Sequence, residues 1–280
     1  MNYLKFEFDL LDDLHEIFIA ELMDLDFYGF EQFEDKLIAY VEKSRFNDTN
    51  RELIEHFVAL YPGSSFSEQD EIEEQNWNET WEKTIRPQRI GRFLVKPTWA
   101  VEKQSDDEIL LEIDPKMAFG TGYHATTRLV LKQLSNIKFD GKRVMDAGTG
   151  TGILAIASVK LGAASAVGFD TDPWSKENAA ENTIINGVEN KVDIRYGGIE
   201  QIERNEIFDV TLANINRNVI LEIIPFLVNH TKKGGVLCIS GLLETDEEII
   251  RDRLSEQPVQ IIDLQQEGEW ILLQIEKNIS

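Results

Sequence analysis

From Gly141 onward the chain alternates short apolar runs with stretches of helical periodicity, and that alternation leaves few folds open. Strands are expected at residues 143–147, 164–169, 192–196, 208–215, 235–240, 259–264 and 270–275. Helices are expected at 153–161, 174–186, 218–228 and 244–254. Seven strands linked by crossover helices define an α/β unit with a mostly parallel, doubly wound sheet. Only residues 265–269 separate the last two strands. A turn that short permits antiparallel pairing alone, so the seventh strand is expected to run against the others.

The first sixty residues follow another rule. Residues 3–8 alternate apolar and polar as a strand does, and apolar residues at Leu10, Leu11, Leu14, Ile17, Phe18 and Leu22 follow a helical spacing to Met23. Short strands are expected at 26–31 and 36–41. A second amphipathic helix is expected from Asp48, read as its N-cap, to Leu60, before Tyr61-Pro62-Gly63 ends it. A strand at 65–69 completes the order strand–helix–strand–strand–helix–strand of the ferredoxin-like plait. Residues 67–80 are polar and acidic and read as a connection. Trp77, Trp81 and Trp99 lie among the following strand-like pieces at 92–96 and 109–113 and read as packing residues.

The 280 residues suffice for two domains, and a 42% hydrophobic content suits a globular core. A single cysteine, Cys238, excludes a disulfide framework, and His15, His56, His124 and His230 have no metal-site spacing, so no metal is expected. No window resembles a secretory signal or a membrane span, so the expectation is a cytoplasmic protein with no membrane association. The net charge of −23 is uneven: residues 1–80 carry 21 Asp/Glu against 5 Lys/Arg. Such a segment repels phosphate and attracts basic protein, so no direct nucleic-acid contact is expected there.

The run Asp146-Ala147-Gly148-Thr149-Gly150-Thr151-Gly152 falls between the first strand of the alternating region and its helix. That is where doubly wound sheets bind ligands. A dinucleotide loop requires Gly-x-Gly-x-x-Gly, and Ile153 stands where its third glycine belongs. A phosphate-binding P-loop requires Gly-Lys-Ser/Thr after a four-residue gap, and the sole Gly-Lys here, Gly141-Lys142, is followed by Arg143. The remaining pattern, Asp-x-Gly-x-Gly-x-Gly, resembles the first motif of class I methyltransferases, which bind S-adenosyl-L-methionine. Asp170 ends the second strand, 22 residues beyond Gly148, where an acid can accept both hydroxyls of a ribose. Asn214 ends the fourth strand on the same edge. Its amide, with neighbouring carbonyls, can accept hydrogen bonds from an amine and aim the lone pair at a methyl group. Such an amine, if lysine, must first lose a proton, which a sulfonium cation nearby assists. Cys238 lies in an apolar strand and reads as core.

Ahead of the glycine loop stands Asp114-Pro115-Lys116-Met117-Ala118-Phe119-Gly120-Thr121-Gly122-Tyr123-His124-Ala125-Thr126-Thr127-Arg128. This segment, with Trp81, Arg86-Pro87-Gln88-Arg89-Ile90-Gly91 and Asn214-Ile215, resembles the PrmA family, the ribosomal protein L11 methyltransferases, over essentially the whole chain. The resemblance implies an acidic substrate-recognition domain at 1–66, a linker at 67–80, and a methyltransferase domain at 81–280. The implied fold is the class I methyltransferase seven-stranded doubly wound sheet with a smaller N-terminal ferredoxin-like α+β domain. It implies S-adenosyl-L-methionine as cofactor, with Thr127, Gly148, Asp170 and Asn214 matching the family's cofactor contacts, and residues 119–122 closing over it. It also implies methylation of lysine side-chain and N-terminal amines of a large-subunit ribosomal protein, a basic partner, by a monomeric enzyme.

No catalytic residue is assigned, and His124 is read as ordering its loop in preference to acting as a base. Three departures from the family pattern stand out: Lys116 for glycine, Thr149 for cysteine, and Asn216 after Asn-Ile, where it borders the expected amine channel. The alternatives are a lysine methyltransferase for a different basic protein and a cofactor-sensing module without transfer activity.

Overall fold

The computed structural model describes residues 3–11, 14–72, 85–116 and 118–279, which belong to two compact units, Met1–Glu79 and Thr80–Ser280. The first unit contains β1 (Tyr3–Asp9), α1 (His15–Met23), β2 (Gly29–Phe33), β3 (Lys36–Glu42), α2 (Asp48–Ala59) and β4 (Ser65–Ile72). Its antiparallel sheet has the order β2-β3-β1-β4, the ferredoxin-like arrangement. Along β1 the two-residue period buries Leu4, Phe6 and Phe8 and leaves Tyr3, Lys5 and Glu7 half-buried. Phe8 meets Phe18 of α1 at 5.8 Å between ring centroids, and Phe18 meets Phe57 of α2 at 4.7 Å, so both helices share one sheet face. Phe8 and Phe18, both fully buried, each contribute roughly 2–3 kcal/mol. On the opposite face Lys5 and Lys36 flank Glu7, and their hydrogen bonds hold its carboxyl below the usual range.

Local details shift the expected boundaries. Helix α1 starts at His15, not Leu10, because Leu10 still bonds the Asp35 carbonyl beside the sheet at 3.2 Å. Strand β2 begins at Gly29 instead of residue 26. Asp26 adopts φ +67°, and the N–H groups of Leu25, Asp26 and Phe27 turn back onto the end of α1. The cap of α2 is Asn47, whose Oδ1 accepts the Asn50 N–H at 3.1 Å, and Asp48 is already helical. Strand β4 runs to Ile72, into the expected connection at 67–80. Residues 73–80, with Trp77, and Trp81 beyond them lie outside the described residues.

The second unit opens with a small sheet of β5 (Gln88–Ile90), β6 (Phe93–Lys96) and β7 (Ile109–Glu112), ordered β5-β6-β7. Then follow α3 (Ala125–Leu134), β8 (Arg143–Ala147), α4 (Ile153–Lys160), β9 (Ser165–Asp170), α5 (Pro173–Ile185) and β10 (Val192–Tyr196). The chain continues through β11 (Phe208–Asn214), α6 (Arg217–His230), β12 (Thr231–Leu243), α7 (Glu247–Ser255), β13 (Val259–Glu267) and β14 (Trp270–Lys277). The large sheet has the order β10-β9-β8-β11-β12-β14-β13. All its neighbours pair in parallel except β14, which runs antiparallel to both β12 and β13. The expected reversed strand is thus present. The order changes direction between β8 and β11, which opens a crevice at their carboxyl ends.

Helix α6 carries Pro225 in its interior, where a missing N–H would strand the carbonyl four residues earlier. That carbonyl, of Leu221, instead accepts Arg253 Nε from α7 at 3.2 Å. The α-helix α7 starts at Glu247, after a 3-10 turn at Glu244–Asp246, so the expected start at 244 is a tighter turn. Among the described residues, no helix is long and apolar enough to cross a membrane.

Candidate active site

Strand β8 buries Val144 to Ala147 and delivers the glycine loop to the crevice. Gly148 and Gly150 take φ +69° and +52°, conformations that L side chains rarely adopt. A Cβ on Gly148 would overlap Ile215 Cγ2, and one on Gly150 would overlap the Phe119 carbonyl oxygen. The loop is anchored from the next strand, since the N–H groups of Gly148 and Thr149 both donate to the Phe169 carbonyl, at 3.0 and 3.1 Å. Above it, Thr151 donates its N–H to Phe119 O at 2.8 Å and its hydroxyl to Gly120 O at 2.5 Å. Residues 119 and 120 therefore lie directly against the glycine loop.

Two carboxylates face this loop. Asp146 is fully buried, and Oδ2 accepts the Thr149 hydroxyl at 2.7 Å while Oδ1 has no partner. Burial pushes its carboxyl up to about 6, and the neighbouring Asp170 adds to the rise. Thr149, where the family pattern has cysteine, thus supplies a stronger donor than a thiol would. At the end of β9, Asp170 accepts the Gly150 N–H at 2.9 Å and the Asp172 N–H at 3.0 Å. Burial raises this carboxyl as well. Neither acid has a lysine or arginine partner among the described residues.

On the other side of the crevice, Asn214 ends β11 and Thr127 lies in the first turn of α3; both are buried. Asn214 Nδ2 makes a long hydrogen bond, 3.4 Å, to Thr127 Oγ1, and Asn214 Oδ1 has no partner. The four sequence-selected residues thus meet at one edge of the sheet. Gly148 is joined to the Asn214 side through Ile215, whose side chain rests on it, and Asp170 reaches the loop through Gly150.

Other sequence features take structural roles. His124 caps α3: its Nδ1 lies 2.8 Å from Thr126 Oγ1 and 3.4 Å from the Thr126 nitrogen. Its ring packs between Phe119 and Trp270, at 5.2 and 4.6 Å between centroids. Asn216 caps α6, with Oδ1 accepting the Val219 N–H at 3.0 Å, so its amide oxygen is engaged at the start of that helix. Lys116 adopts φ +45°, which accounts for glycine being usual there, and it pairs with Glu181 of α5. Cys238 is buried in β12 and its thiol is pushed up to about 12, so it is inert as a nucleophile. Among the described residues, no group of three or more His, Cys, Asp or Glu is placed to hold a metal ion. The contacts of Ile215 and Trp270 escaped sequence reasoning, because an apolar residue carries no signal of which distant loop it covers.

A buried acid, Asp146, a half-buried one, Asp170, neither with a cationic partner among the described residues, and an orphaned amide oxygen suit a ligand that carries cationic and hydrogen-donating groups. S-Adenosylmethionine has a sulfonium, an ammonium and ribose hydroxyls, and the residues present fit it. With a sheet ordered β10-β9-β8-β11-β12-β14-β13, the second unit is that of a class I S-adenosylmethionine-dependent methyltransferase. The family model described as ribosomal protein L11 methyltransferase (PrmA) matches residues 19–278. The ribosomal protein L11 methyltransferase of Chlorobaculum parvum is 36% identical over 98% of this chain and 96% of its own. That of Porphyromonas gingivalis is 35% identical over 98% and 97%. The crystal structure of a ribosomal protein L11 methylase from Lactobacillus delbrueckii subsp. bulgaricus superimposes with a TM-score of 0.64 at 30% identity. It covers 69% of this chain and 100% of that one. The chain belongs to the ribosomal protein L11 methyltransferase family, and it is an enzyme that uses S-adenosylmethionine as methyl donor.

Proposed function

We propose that this enzyme transfers methyl groups to lysine side-chain and N-terminal amines of ribosomal protein L11. The observation that carries this reading is the unpartnered Asn214 Oδ1, buried across the crevice from the unpaired carboxylates Asp146 and Asp170. Thr127, Gly148, Asp170 and Asn214 are the proposed cofactor contacts. Asp170 would accept the ribose hydroxyls with the lone pairs that the Gly150 and Asp172 N–H groups leave free, and Gly148 leaves room for the cofactor's backbone-side approach. The cofactor supplies an electrophilic methyl group on a sulfonium. Asn214 Oδ1 would accept a hydrogen bond from the incoming amine and orient its lone pair, so that positioning carries the rate. The amine must arrive neutral, and the nearby sulfonium charge disfavours its ammonium form. The transferred methyl leaves the amine with a proton to shed to water, and no covalent enzyme intermediate is required.

Residues 1–66 are the proposed recognition domain and 67–80 the linker. The excess of 21 acidic over 5 basic residues in the first 80 favours a basic protein partner and disfavours direct nucleic-acid binding. A monomeric, cytoplasmic enzyme accords with this reading. Incubation with labelled cofactor and purified ribosomal proteins tests it: label is expected on L11. Label on another basic protein alone would replace the substrate, and cofactor binding without transfer to any protein would reduce the chain to a sensing module.

A further inference from the structure

Helix α5 carries asparagine at 178 and 182, and its C-cap is Asn186, a spacing of four that aligns all three on one face. Asparagine is unfavourable inside helices because its side chain competes for backbone groups. Here the backbone groups it takes belong to a distant segment. Asn186 accepts the Glu112 N–H at 3.1 Å and donates to Glu112 O at 2.7 Å. Two residues on, Asn182 accepts the Asp114 N–H at 3.0 Å and donates to Asp114 O at 3.3 Å, which Asn178 also reaches at 2.7 Å. Strand β7 ends its small sheet, so this helix face serves as the neighbouring strand for its open edge.

Asn182 does one thing more. Its Nδ2 donates to Thr151 O, in the glycine loop, at 2.9 Å, and the side chain is fully buried. Asp114 opens the segment that runs to Phe119 and Gly120, whose carbonyls take the Thr151 N–H and hydroxyl. Asp114 is itself fixed through its carboxylate, which accepts the Thr98 N–H and hydroxyl at 2.8 Å each. Asp114, through Asn182, and Phe119 and Gly120, directly, are therefore all tied to Thr151.

We propose that Asn182 is a positioning residue for cofactor binding, which holds the Asp114 backbone and the glycine loop, on which Phe119 and Gly120 rest, in one binding-ready arrangement. The proposal rests on the assignment of the glycine loop as the cofactor cradle. Holding the loop in place beforehand removes an ordering cost that binding would otherwise meet.

Calorimetric titration of the full chain with S-adenosylmethionine, beside thermal melts without it, separates the possibilities. Asn182→Ala is expected to raise Kd about tenfold or more, the effect of losing a buried hydrogen bond that shapes the site. Asn186→Ala, which loses a comparable pair of bonds to Glu112 outside the site, is expected to lower Tm while leaving Kd within about twofold. Should Asn182→Ala not fold, Asn182→Ser is read by the same criterion. Equal weakening in the 182 and 186 variants, or an unchanged Kd at 182, would overturn the proposal. Asp170→Ala runs alongside: weakened binding there with an unchanged Kd at 182 removes only the role of Asn182, whereas unchanged binding in both variants removes the cradle assignment as well.

Discussion

The backbone N–H of Gly150 donates to Asp170 Oδ2 at 2.9 Å, so the acid that ends β9 also holds the middle of the glycine loop. Asp170→Ala therefore loses both a loop anchor and the proposed ribose acceptor. Two charge-assisted hydrogen bonds correspond to about 3 kcal/mol or more, a loss of at least roughly a hundredfold in Kd. Calorimetry is expected to register that loss while circular dichroism shows an intact fold. An unchanged affinity would remove Asp170 from the cofactor site.

Gly150→Ala tests the loop from the other side. The left-handed conformation costs about 1–2 kcal/mol for alanine, and the new Cβ meets the Phe119 carbonyl. Residues 119 and 120 would have to lift from the loop. Loss of methyl transfer with a folded protein is the expected outcome, and wild-type activity would contradict the close approach.

Asp146 gives the site a pH dependence. Its folded carboxyl lies near 6, above the ordinary 3.8, so its contribution favours the fold at low pH and is lost as pH rises from about 4 through 6. The difference amounts to at most about 3 kcal/mol at neutral pH. Asp146→Asn keeps an acceptor for Thr149 and removes the buried charge. The variant without cofactor is expected to melt above wild type at pH 7.5, with the gap closing near pH 4. Its affinity for the cationic cofactor should fall at pH 7.5, where wild type presents a carboxylate.

His124→Asn distinguishes a cap from a base. Asparagine is a strong N-cap, so the start of α3 is preserved while the imidazole disappears. Methyl transfer is expected to stay within about tenfold of wild type, with the same pH profile. A loss of about a hundredfold or more, with a flattened profile, would indicate general-base catalysis.

The Leu221 carbonyl freed by Pro225 makes a double-mutant cycle informative. Arg253→Ala is expected to cost about 1 kcal/mol in the native background and less in Pro225→Ala, where a backbone N–H returns to that carbonyl. Additive effects in chemical denaturation would show the two features to be independent.

The catalytic unit was legible because its signals are local. Strands β8, β9, β11 and β14 are short, largely apolar runs, the glycine loop is contiguous, and the spacing to Asp170 follows from one strand–helix–strand unit. Helix α3 was missed although its residues carry a helical period: three of its eight buried residues, Thr126, Thr127 and Gln133, are polar, so residue type understates the buried face. The length of β12 was hidden because Lys232-Lys233-Gly234-Gly235 reads as a turn, although the strand runs through it from Thr231. Asn182 and Trp270 were beyond reach altogether. Their roles depend on Asp114 and His124, which lie far away in sequence and meet them only in the folded chain. Asn216 shows the converse. Its position suggested specificity, and its side chain is occupied as a helix cap.

Strand β14 follows every other strand of the large sheet in the chain, yet it sits between β12 and β13. During synthesis the hydrogen-bonding edge of β12 waits for its native partner, and so does β13, whose neighbour in the finished sheet is β14. The outer edge of the sheet is consequently completed by the last strand of the chain, with β13 and β14 able to add to β12 together as a hairpin. A nascent chain stalled before residue 270 would expose the edge of β12 to any extended polypeptide nearby, which makes the last insertion the point where folding and self-association compete.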